Sequence, residues 1–271
     1  MSLCLVHLSD IHFGMEDKGA IEAALAMTLD LAPSLTLVTG DLTLAGRTTE
    51  FMAARAWLDR LPGPLIATPG NHDTPYYNLF VRSFSPFHRW RRYIGADDFA
   101  VYDGPGLSVA AINSARGAQL RANWAHGAID LTAIGEVATR LAAARGSLRV
   151  FACHHPLVDV EGGTSGGVRH GRAATRTLCE AGVDLILSGH VHTPFARPLP
   201  YCDGCSYVAG AGTLSRRTRG VPATFSVIEA GMDTITVTAH AWRGAHFEPF
   251  SSWDFPRRGG GTSPAAQSAV N

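Results

Sequence analysis

The sequence predicts an α/β fold, in which sheets are covered by helices, and three observations lead to this prediction. Short apolar runs alternate with amphipathic runs through the first two thirds of the chain. After residue 200 the pattern changes to "SYVAGAG", "TFSVIEA" and "TITVTAHAW", strand-like runs joined by short turns that indicate an antiparallel end of the domain. The chain has 271 residues, 46% of them hydrophobic, which is enough for a sizeable core.

Each element follows from its own pattern. "LCLVHLS" is a continuous apolar run, typical of a buried strand, and "GAIEAALAMTLDL" has helical spacing. The strand "LTLVTGD", the helix "TTEFMAARAWLDRL" and the strand "PLIATPGNHD", which runs into a turn, come next. The alternation continues with "LSVAAINSA", the helical "AIDLTAIGEVATRLAAA", "LRVFACHHP", the helical "AATRTLCEAG" and "DLILSGHVH". Such alternation indicates helices on the outer face of a sheet.

Composition and charge exclude several classes of function. Lysine and arginine total 23 and so do the acidic residues. This balance argues against general electrostatic binding to nucleic acid or to an acidic membrane. No apolar run approaches the ~18–20 residues of a membrane span, and the N-terminus lacks the features of a signal peptide. The five cysteines are expected to be reduced thiols, and the protein to be cytoplasmic.

The chain shows no internal repeat and no inter-domain linker. We therefore expect one domain over residues 1–255, with residues 76–95 as a cap segment within it. The tail 256–271 is rich in glycine, serine and alanine without an apolar pattern, and is expected to be disordered.

Polar residues that bind metals or phosphate follow five of the predicted strands. In an α/β sheet, sites form where strand ends open into loops, so these five ends are expected to meet at one rim. The residues are Asp10 and His12; Asp41; Asn71, His72 and Asp73; His154 and His155; and His190 and His192.

The residue types indicate the metal chemistry. Oxygen and imidazole donors dominate and no cysteine lies among them, which favours manganese, iron or zinc over an iron–sulfur or tetrathiolate site. Seven candidate ligands are too many for one tetrahedral ion but suit two ions that share a carboxylate. Gly40, Gly70 and Gly189 each precede a candidate ligand and allow close backbone approach. The pairs Asp10/His12 and His190/His192 are expected on extended segments, with both side chains on one side.

Five ordered blocks, "SDIH", "TGD", "PGNHD", "CHHP" and "SGHVH", resemble the calcineurin-like metallophosphoesterase superfamily. In motif style they look most like its class III cyclic-nucleotide phosphodiesterases and glycerophosphodiesterases. The resemblance implies a four-layer αββα sandwich of two mixed sheets flanked by helices. It also implies that one metal is held by Asp10, His12 and His192, that a second is held by Asn71, His154 and His190, and that Asp41 bridges them.

The same resemblance implies catalytic roles. His72 would contact the phosphate or protonate the leaving group, Asp73 would orient His72, and His155 would lie behind the ligands. Hydrolysis would proceed by in-line attack of a hydroxide that bridges the two metals.

Residues outside these blocks are weaker candidates for substrate binding. They are Arg82 in the aromatic and basic stretch 76–95, Asn113 and Arg116 in "INSARG", and Arg216 in "AGTLSRRTRG". The stretch 76–95 is either a helical cap that packs its aromatic side chains inward or a cap that binds substrate. The C-x-x-C of "YCDGCSY" is interpreted as a hairpin turn rather than half of a zinc site.

The sequence therefore predicts a metal-dependent phosphoric ester hydrolase with two divalent ions (manganese, iron or zinc). The expected substrate is a small-molecule phosphodiester, with a pyrophosphate of the nucleotide-sugar-lipid type as the alternative. A non-catalytic phosphate-binding module is the alternative from another class, and it is disfavoured because none of the seven candidate ligands is missing. No nucleic acid or integral membrane segment is expected, and the sequence does not indicate the oligomeric state.

Overall fold

The computed structural model describes residues 2–119, 123–159, 168–199 and 202–259. Its helices are α1 (Lys18–Leu31), α2 (Thr48–Leu58), α3 (Leu79–Phe84), α4 (His88–Tyr93), α5 (Leu131–Ala143) and α6 (Gly171–Glu180). Its strands are β1 (Leu3–Leu8), β2 (Leu35–Thr39), β3 (Leu65–Thr68), β4 (Phe99–Gly104), β5 (Leu107–Ile112), β6 (Leu148–Ala152), β7 (Leu185–Ser188), β8 (Phe195–Pro198), β9 (Tyr207–Gly210), β10 (Thr224–Ala230), β11 (Thr234–Trp242) and β12 (Phe247–Pro256).

The strands form two mixed sheets of six. The first sheet has the order β12-β11-β10-β1-β2-β3, in which β1, β2 and β3 are parallel and β10, β11 and β12 are antiparallel to their neighbours. The second has the order β4-β5-β6-β7-β9-β8, parallel from β5 to β9 with an antiparallel strand at each edge. In the first sheet the parallel strands form one half, from β1 to the edge strand β3, and in the second sheet they are central. Within each sheet the C-terminal ends of the parallel strands lie side by side.

Three apolar clusters hold the layers together. The first lies between the sheets and joins Leu5 and Leu37 of one to Val150 and Leu187 of the other. The second packs α1 and α2 against the outer face of the first sheet, and the third packs α5 and α6 against the outer face of the second. The order of layers is thus helices, sheet, sheet, helices, which confirms the predicted α/β class and the four-layer αββα sandwich.

The antiparallel end of the domain is only partly as predicted. β10 and β11 pair antiparallel as expected, but β9, from "SYVAGAG", is parallel to β7 in the other sheet. β12 was not predicted at all, because Pro249 and many polar residues interrupt its apolar pattern. β12 runs to Pro256, the first residue of the predicted tail, and residues 260–271 lie outside the described part of the chain.

The expectation that all five cysteines are reduced is wrong. Cys179 at the end of α6 forms a disulfide with Cys202, whereas Cys4, Cys153 and Cys205 are free. Spacing could not reveal this pair, because the partners are 23 residues apart and meet only in the folded chain. The strands β8 and β9, on either side of the "YCDGCSY" segment, pair antiparallel, which agrees with the predicted hairpin, although residues 200 and 201 lie outside the described part of the chain. In the described residues, no helix has the length and hydropathy needed to cross a bilayer.

Candidate metal centre

Seven polar side chains from both sheets meet where the parallel strands end. Asp10 and His12 follow β1, Asp41 follows β2, and Asn71 begins a short 3-10 turn after β3. His154 follows β6, and His190 and His192 follow β7. All but His190 are buried among the residues described. The side chains that the sequence placed on one rim are therefore together.

The donor atoms form two neighbouring groups. In the first, His192 Nε2 lies 3.0 Å from Asp10 Oδ1 and 3.3 Å from His12 Nε2. In the second, His154 Nε2 lies 3.2 Å from Asn71 Oδ1 and 3.3 Å from the Nδ1 of His190.

One carboxylate lies between the two groups. Asp41 Oδ2 is 3.8 Å from the Nε2 of His12 and 3.4 Å from the Nε2 of His154. Its other oxygen accepts a hydrogen bond from the backbone N–H of His72 at 2.8 Å. Asp41 Oδ2 is therefore placed where it could contact an ion in either group.

Backbone carbonyls fix three of the imidazoles. The Nδ1 atoms of His12, His154 and His192 lie 3.3, 2.7 and 2.6 Å from the carbonyl oxygens of Thr43, Thr39 and Arg217. A carbonyl oxygen only accepts, so each Nδ1 carries the proton and donates it. In the neutral ring the Nε2 lone pair then faces the cluster, which is the arrangement found in metal-binding histidines.

The donor set fits divalent cations. Asp10 Oδ1 is buried and accepts no hydrogen bond of acceptable geometry, although His192 Nε2 is only 3.0 Å away. The Nε2 atoms of His12 and His192 face one another at 3.3 Å, an unfavourable contact between two lone pairs unless a proton or a cation lies between them. A mixed oxygen and imidazole set of this kind suits manganese, iron or zinc.

The pKa shifts divide the four imidazoles of the cluster into two pairs. Burial lowers the pKa of His12 to about 3, despite the opposing charges of Asp41 and Asp10. Burial, with the charge of His154, also lowers the pKa of His190 to about 3. Burial opposes ionisation of Asp10, but the charge of His192 outweighs it and holds the pKa of Asp10 below its ordinary value. Burial opposes protonation of His154 and His192 too, but the charge of Asp41 raises the pKa of His154 to about 9, and the charge of Asp10 raises the pKa of His192 above its ordinary value. In the protein alone the carboxylates thus favour a proton on these two imidazoles, and a bound cation would replace it.

The backbone around the ligands differs from the sequence prediction. The pairs Asp10/His12 and His190/His192 are not on extended segments, because φ is +53° and +50° in the first pair and +71° and +61° in the second. Asp41 is also left-handed, at +51°. Residues with side chains rarely adopt this conformation, and such strain concentrates at functional sites.

Glycines allow the strand ends to approach one another, as the sequence predicts. A Cβ on Gly40 would lie 2.7 Å from both the backbone nitrogen of Gly70 and the Nδ1 of His154. A Cβ on Gly70 would overlap Asp41, and one on Gly189 would overlap Ser9 and crowd Asp10. The close approach therefore excludes any side chain at these three positions.

His72 lies beside the cluster, but Asp73 does not orient it as the resemblance implies. His72 Nδ1 donates to the carbonyl of Leu44 at 2.7 Å, which leaves Nε2 directed away from that loop. Both oxygens of Asp73 accept instead from the backbone, including Thr43 N at 2.8 Å and Gly70 N at 2.9 Å. Burial, with the charge of Asp41, raises the pKa of Asp73 to about 7. Asp73 therefore joins two ligand-bearing loops rather than holding the imidazole of His72.

The ring of His155, next to the candidate ligand His154, is held by hydrogen bonds on both of its nitrogens. His155 Nε2 donates to the carbonyl of Ala125 at 2.8 Å, and its Nδ1 lies 2.8 Å from Ser114 Oγ. Although His155 lies within reach of His154 and His190, both of its ring nitrogens are already engaged. This agrees with its expected place behind the ligands.

A cavity of about 510 Å³ opens beside the cluster, and its lining revises the predicted substrate-binding residues. It is lined by Asn71, His72, Tyr76, Leu79, Arg82, Asn123, Trp124, Ala125 and Arg217. Arg82, one of the four candidates, is therefore at the cavity, where its guanidinium lies 5.6 Å from the ring of Trp124.

The other three candidates are not part of this lining. Arg216 is exposed, whereas the guanidinium of its neighbour Arg217 lies 3.0 Å from His72 Nε2. Arg116 donates to the carbonyls of Asn113 and Ala115, and Asn113 accepts from Ala115 N. In each case the local turn engages the side chain or directs it elsewhere. Arg217 lies in the same arginine-rich loop as Arg216, and sequence reasoning chose Arg216 from that loop instead.

The comparison with family models identifies the class of protein. The sequence model described as calcineurin-like phosphoesterase matches residues 5–194, so the chain belongs to this family. It is 25% identical over 267 residues to a probable cyclic nucleotide phosphodiesterase of Synechococcus sp., covering 93% of this chain and 91% of that protein. It is 35% identical over 82 residues, 26% of this chain and 30% of the relative, to the glycerophosphodiester phosphodiesterase GpdQ of Enterobacter lignolyticus.

Solved structures share the fold at low sequence identity. Purple acid phosphatase PPD1 from yellow lupin matches with a TM-score of 0.73 at 12% identity, over 99% of this chain and 57% of the lupin chain. The chain thus spans little more than half of the lupin protein. A dimetal phosphatase from Danio rerio matches with a TM-score of 0.68 at 9% identity, over 94% of this chain and 99% of the fish protein.

Proposed function

We propose that this chain is a dimetal-dependent phosphodiesterase. The observation that carries the proposal is the buried set of donors around Asp10 Oδ1, an acceptor without a hydrogen bond beside inward-facing imidazoles. Support also comes from the Synechococcus relative, which is named as a probable cyclic nucleotide phosphodiesterase and aligns over 93% of the chain.

The proposed ligands divide between two ions. Asp10, His12 and His192 would hold one ion; Asn71, His154 and His190 would hold the other; and Asp41 would contact both. Bound divalent ions would supply Lewis acidity, which activates water and offsets the negative charge of a phosphoryl group. Manganese, iron and zinc all suit this donor set.

Residues of the cavity then bind and protonate the substrate. Arg217 and Arg82 line the cavity, and their guanidinium groups would bind phosphate oxygens through charged hydrogen bonds. Because its Nδ1 is held by Leu44, His72 can only use Nε2 toward the cavity. In the structure His72 Nε2 accepts from the Arg217 guanidinium at 3.0 Å. With that guanidinium turned to the phosphate and the ring protonated, His72 would donate the Nε2 proton to the departing alkoxide oxygen.

Metal content and turnover of bis(p-nitrophenyl) phosphate test the proposal. The manganese-loaded protein should contain about two ions per chain and hydrolyse the diester in a chelator-sensitive manner. Asp10→Asn should lower both metal content and turnover, whereas Asp30→Asn, at an exposed position on α1, should change neither. Asn71→Ala should abolish turnover while the fold survives. A protein that binds no divalent ion, or an Asn71→Ala variant with full activity, would refute the assignment.

A substrate panel separates the proposed activity from its alternative. Cyclic nucleotides, glycerophosphodiesters and nucleotide diphospholipids would each be offered with manganese. Preferential cleavage of a diester supports the phosphodiesterase, and preferential cleavage of the diphosphate bond would identify a pyrophosphatase instead. The cytoplasmic location stays a prediction, and the Cys179–Cys202 disulfide removes the reduced-thiol argument for it.

A further inference from the structure

An exposed group of apolar side chains lies at one edge of the cavity. Five residues between 76 and 84 form this group, which we call the apolar rim: Tyr76, Tyr77, Leu79, Phe80 and Phe84. Phe80 and Phe84 are 73% and 76% exposed, whereas Phe87 and Trp90, further along the same stretch, are 6% and 0% exposed. The segment 76–95 thus divides into a half that packs inward and a half that faces solvent. Clustered exposed apolar side chains mark binding surfaces more often than chance exposure.

The exposure of the rim is fixed by the fold. Asn78 caps α3 by accepting a hydrogen bond from Val81 N at 3.0 Å. Arg82 is buried on another side of this helix, where its Nε donates to the carbonyl of Gly117 at 2.8 Å. Phe80 and Phe84 are four residues apart, so their rings lie together, with centroids 4.8 Å apart. The anchored helix therefore holds both rings on the outside.

The rim is continuous with the cavity. Tyr76 and Leu79 belong to the rim and also line the cavity, together with His72, Arg82 and Arg217. The surface therefore passes from cationic and imidazole groups inside the cavity to apolar side chains outside it. A ligand that follows this order carries a phosphate at one end and an apolar group at the other.

We infer that the substrate is an amphipathic phosphodiester whose hydrocarbon chain lies along the apolar rim. The inference rests on the proposed phosphodiesterase function and names the substrate class for it. A compact planar group could be enclosed within the cavity beside Trp124 and Tyr76, but it would leave Phe80 and Phe84 uncovered. A flexible chain that leaves the cavity covers them, and burying its methylene groups supplies the binding energy.

A series of esters with a common leaving group tests the inference. Methyl and hexyl p-nitrophenyl phosphate would be compared on the manganese-loaded protein, below micelle-forming concentrations. Full burial of a methylene increases binding about fourfold and burial on an open surface about twofold, so kcat/KM for the hexyl ester should be about thirtyfold higher. In the Phe80→Ser/Phe84→Ser variant this ratio should fall to near one. The matched control Phe250→Ser, at an exposed aromatic residue on β12, should keep the ratio of the wild-type protein.

Further measurements distinguish a wrong substrate class from a wrong proposed function. If the methyl ester is cleaved but the ratio is near one in the wild-type protein, the inference is wrong and the phosphodiesterase stands. If neither ester is cleaved, the proposed function is wrong, and calorimetric binding of hexylphosphocholine against methylphosphocholine still decides the role of the rim. Tighter binding of the hexyl compound that is lost in the double variant supports the inference, and equal binding overturns it. Sedimentation of a wild-type dimer that the double variant dissociates would also overturn it, because a second copy would then cover the rim.

Discussion

At the scale of single residues, the centre depends on backbone contacts that tolerate no added atom. A Cβ on Gly189 would overlap Ser9 Oγ and crowd Asp10, whereas a Cβ on Gly135, at an exposed position within α5, would meet nothing within 4 Å. Gly189→Ala should lower the free energy of unfolding by about 1–3 kcal/mol and reduce manganese content. Gly135→Ala should instead raise the free energy of unfolding by about 0.5–1 kcal/mol, because alanine favours a helix over glycine. Urea denaturation measures both, and equal effects of the two substitutions would contradict the packing argument.

Two neighbouring arginines provide a second comparison at this scale. Arg217 reaches His72 and the cavity, whereas Arg216 is exposed. Because a charged hydrogen bond contributes about 1.5–3 kcal/mol, Arg217→Ala should lower kcat/KM for a phosphodiester about 10–100-fold. Manganese affinity should stay close to that of the wild-type protein, since His192 is held by the backbone carbonyl of Arg217 rather than by its side chain. Arg216→Ala should change neither quantity, and similar losses in both variants would contradict the assignment of the phosphate contact to Arg217 alone.

The sequence predicted correctly which residues meet, but it did not predict the backbone conformation in which they meet. Parallel strands end at one edge of a sheet, so polar residues after β1, β2 and β3 were expected to lie close together, as were those after β6 and β7. The left-handed backbone at Asp10 and His12 could not be foreseen, because it is rare for residues with side chains and is imposed by tertiary contacts. The choice between Arg216 and Arg217 failed for a related reason. Which of the two arginines faces the cavity depends on the backbone conformation of one loop. The sequence pattern does not indicate that conformation.

At the scale of elements, strong apolar patterns predicted most helices and strands of the two sheets. β12 was missed because it is an edge strand with much of one side in solvent, so its sequence lacks a buried face. The sequence of segment 76–95 was ambiguous because it contains two short helices that differ in burial. α4 buries Trp90 against Phe51 of α2, whereas α3 exposes Phe80 and Phe84. Aromatic content alone does not distinguish these outcomes.

The disulfide provides a prediction at the scale of elements, because it ties α6 to the β8–β9 hairpin across 23 residues of sequence. Closing a loop of this length restricts the unfolded chain and contributes about 3 kcal/mol. The Cys179→Ser/Cys202→Ser variant should therefore have a free energy of unfolding about 2–4 kcal/mol lower in urea. Cys205→Ser, at a free and partly buried cysteine, is the control and should behave like the wild-type protein. A dithiothreitol-insensitive midpoint in the wild-type protein would contradict the bond.

At the scale of the whole molecule, the candidate ligands connect the two sheets. Asp10, His12, Asp41 and Asn71 follow strands of the first sheet, and His154, His190 and His192 follow strands of the second. Ions at this position would hold the C-terminal ends of both sheets together. The apolar cluster between the sheets contains none of the seven candidate ligands, so the fold itself should survive metal removal.

Metal binding should therefore stabilise the entire fold rather than one loop. A ligand that binds only the folded state adds about 2.7 kcal/mol at a free concentration one hundred times its Kd. For a chain of this size that corresponds to a rise in Tm of about 5–10 °C. Calorimetry with manganese and after chelation should show this shift as one cooperative transition, because the ligands come from both sheets. Asp10→Asn should reduce the shift, whereas Asp30→Asn should retain it. An unchanged Tm in a protein shown by metal analysis to hold two ions would mean that the ions do not connect the sheets.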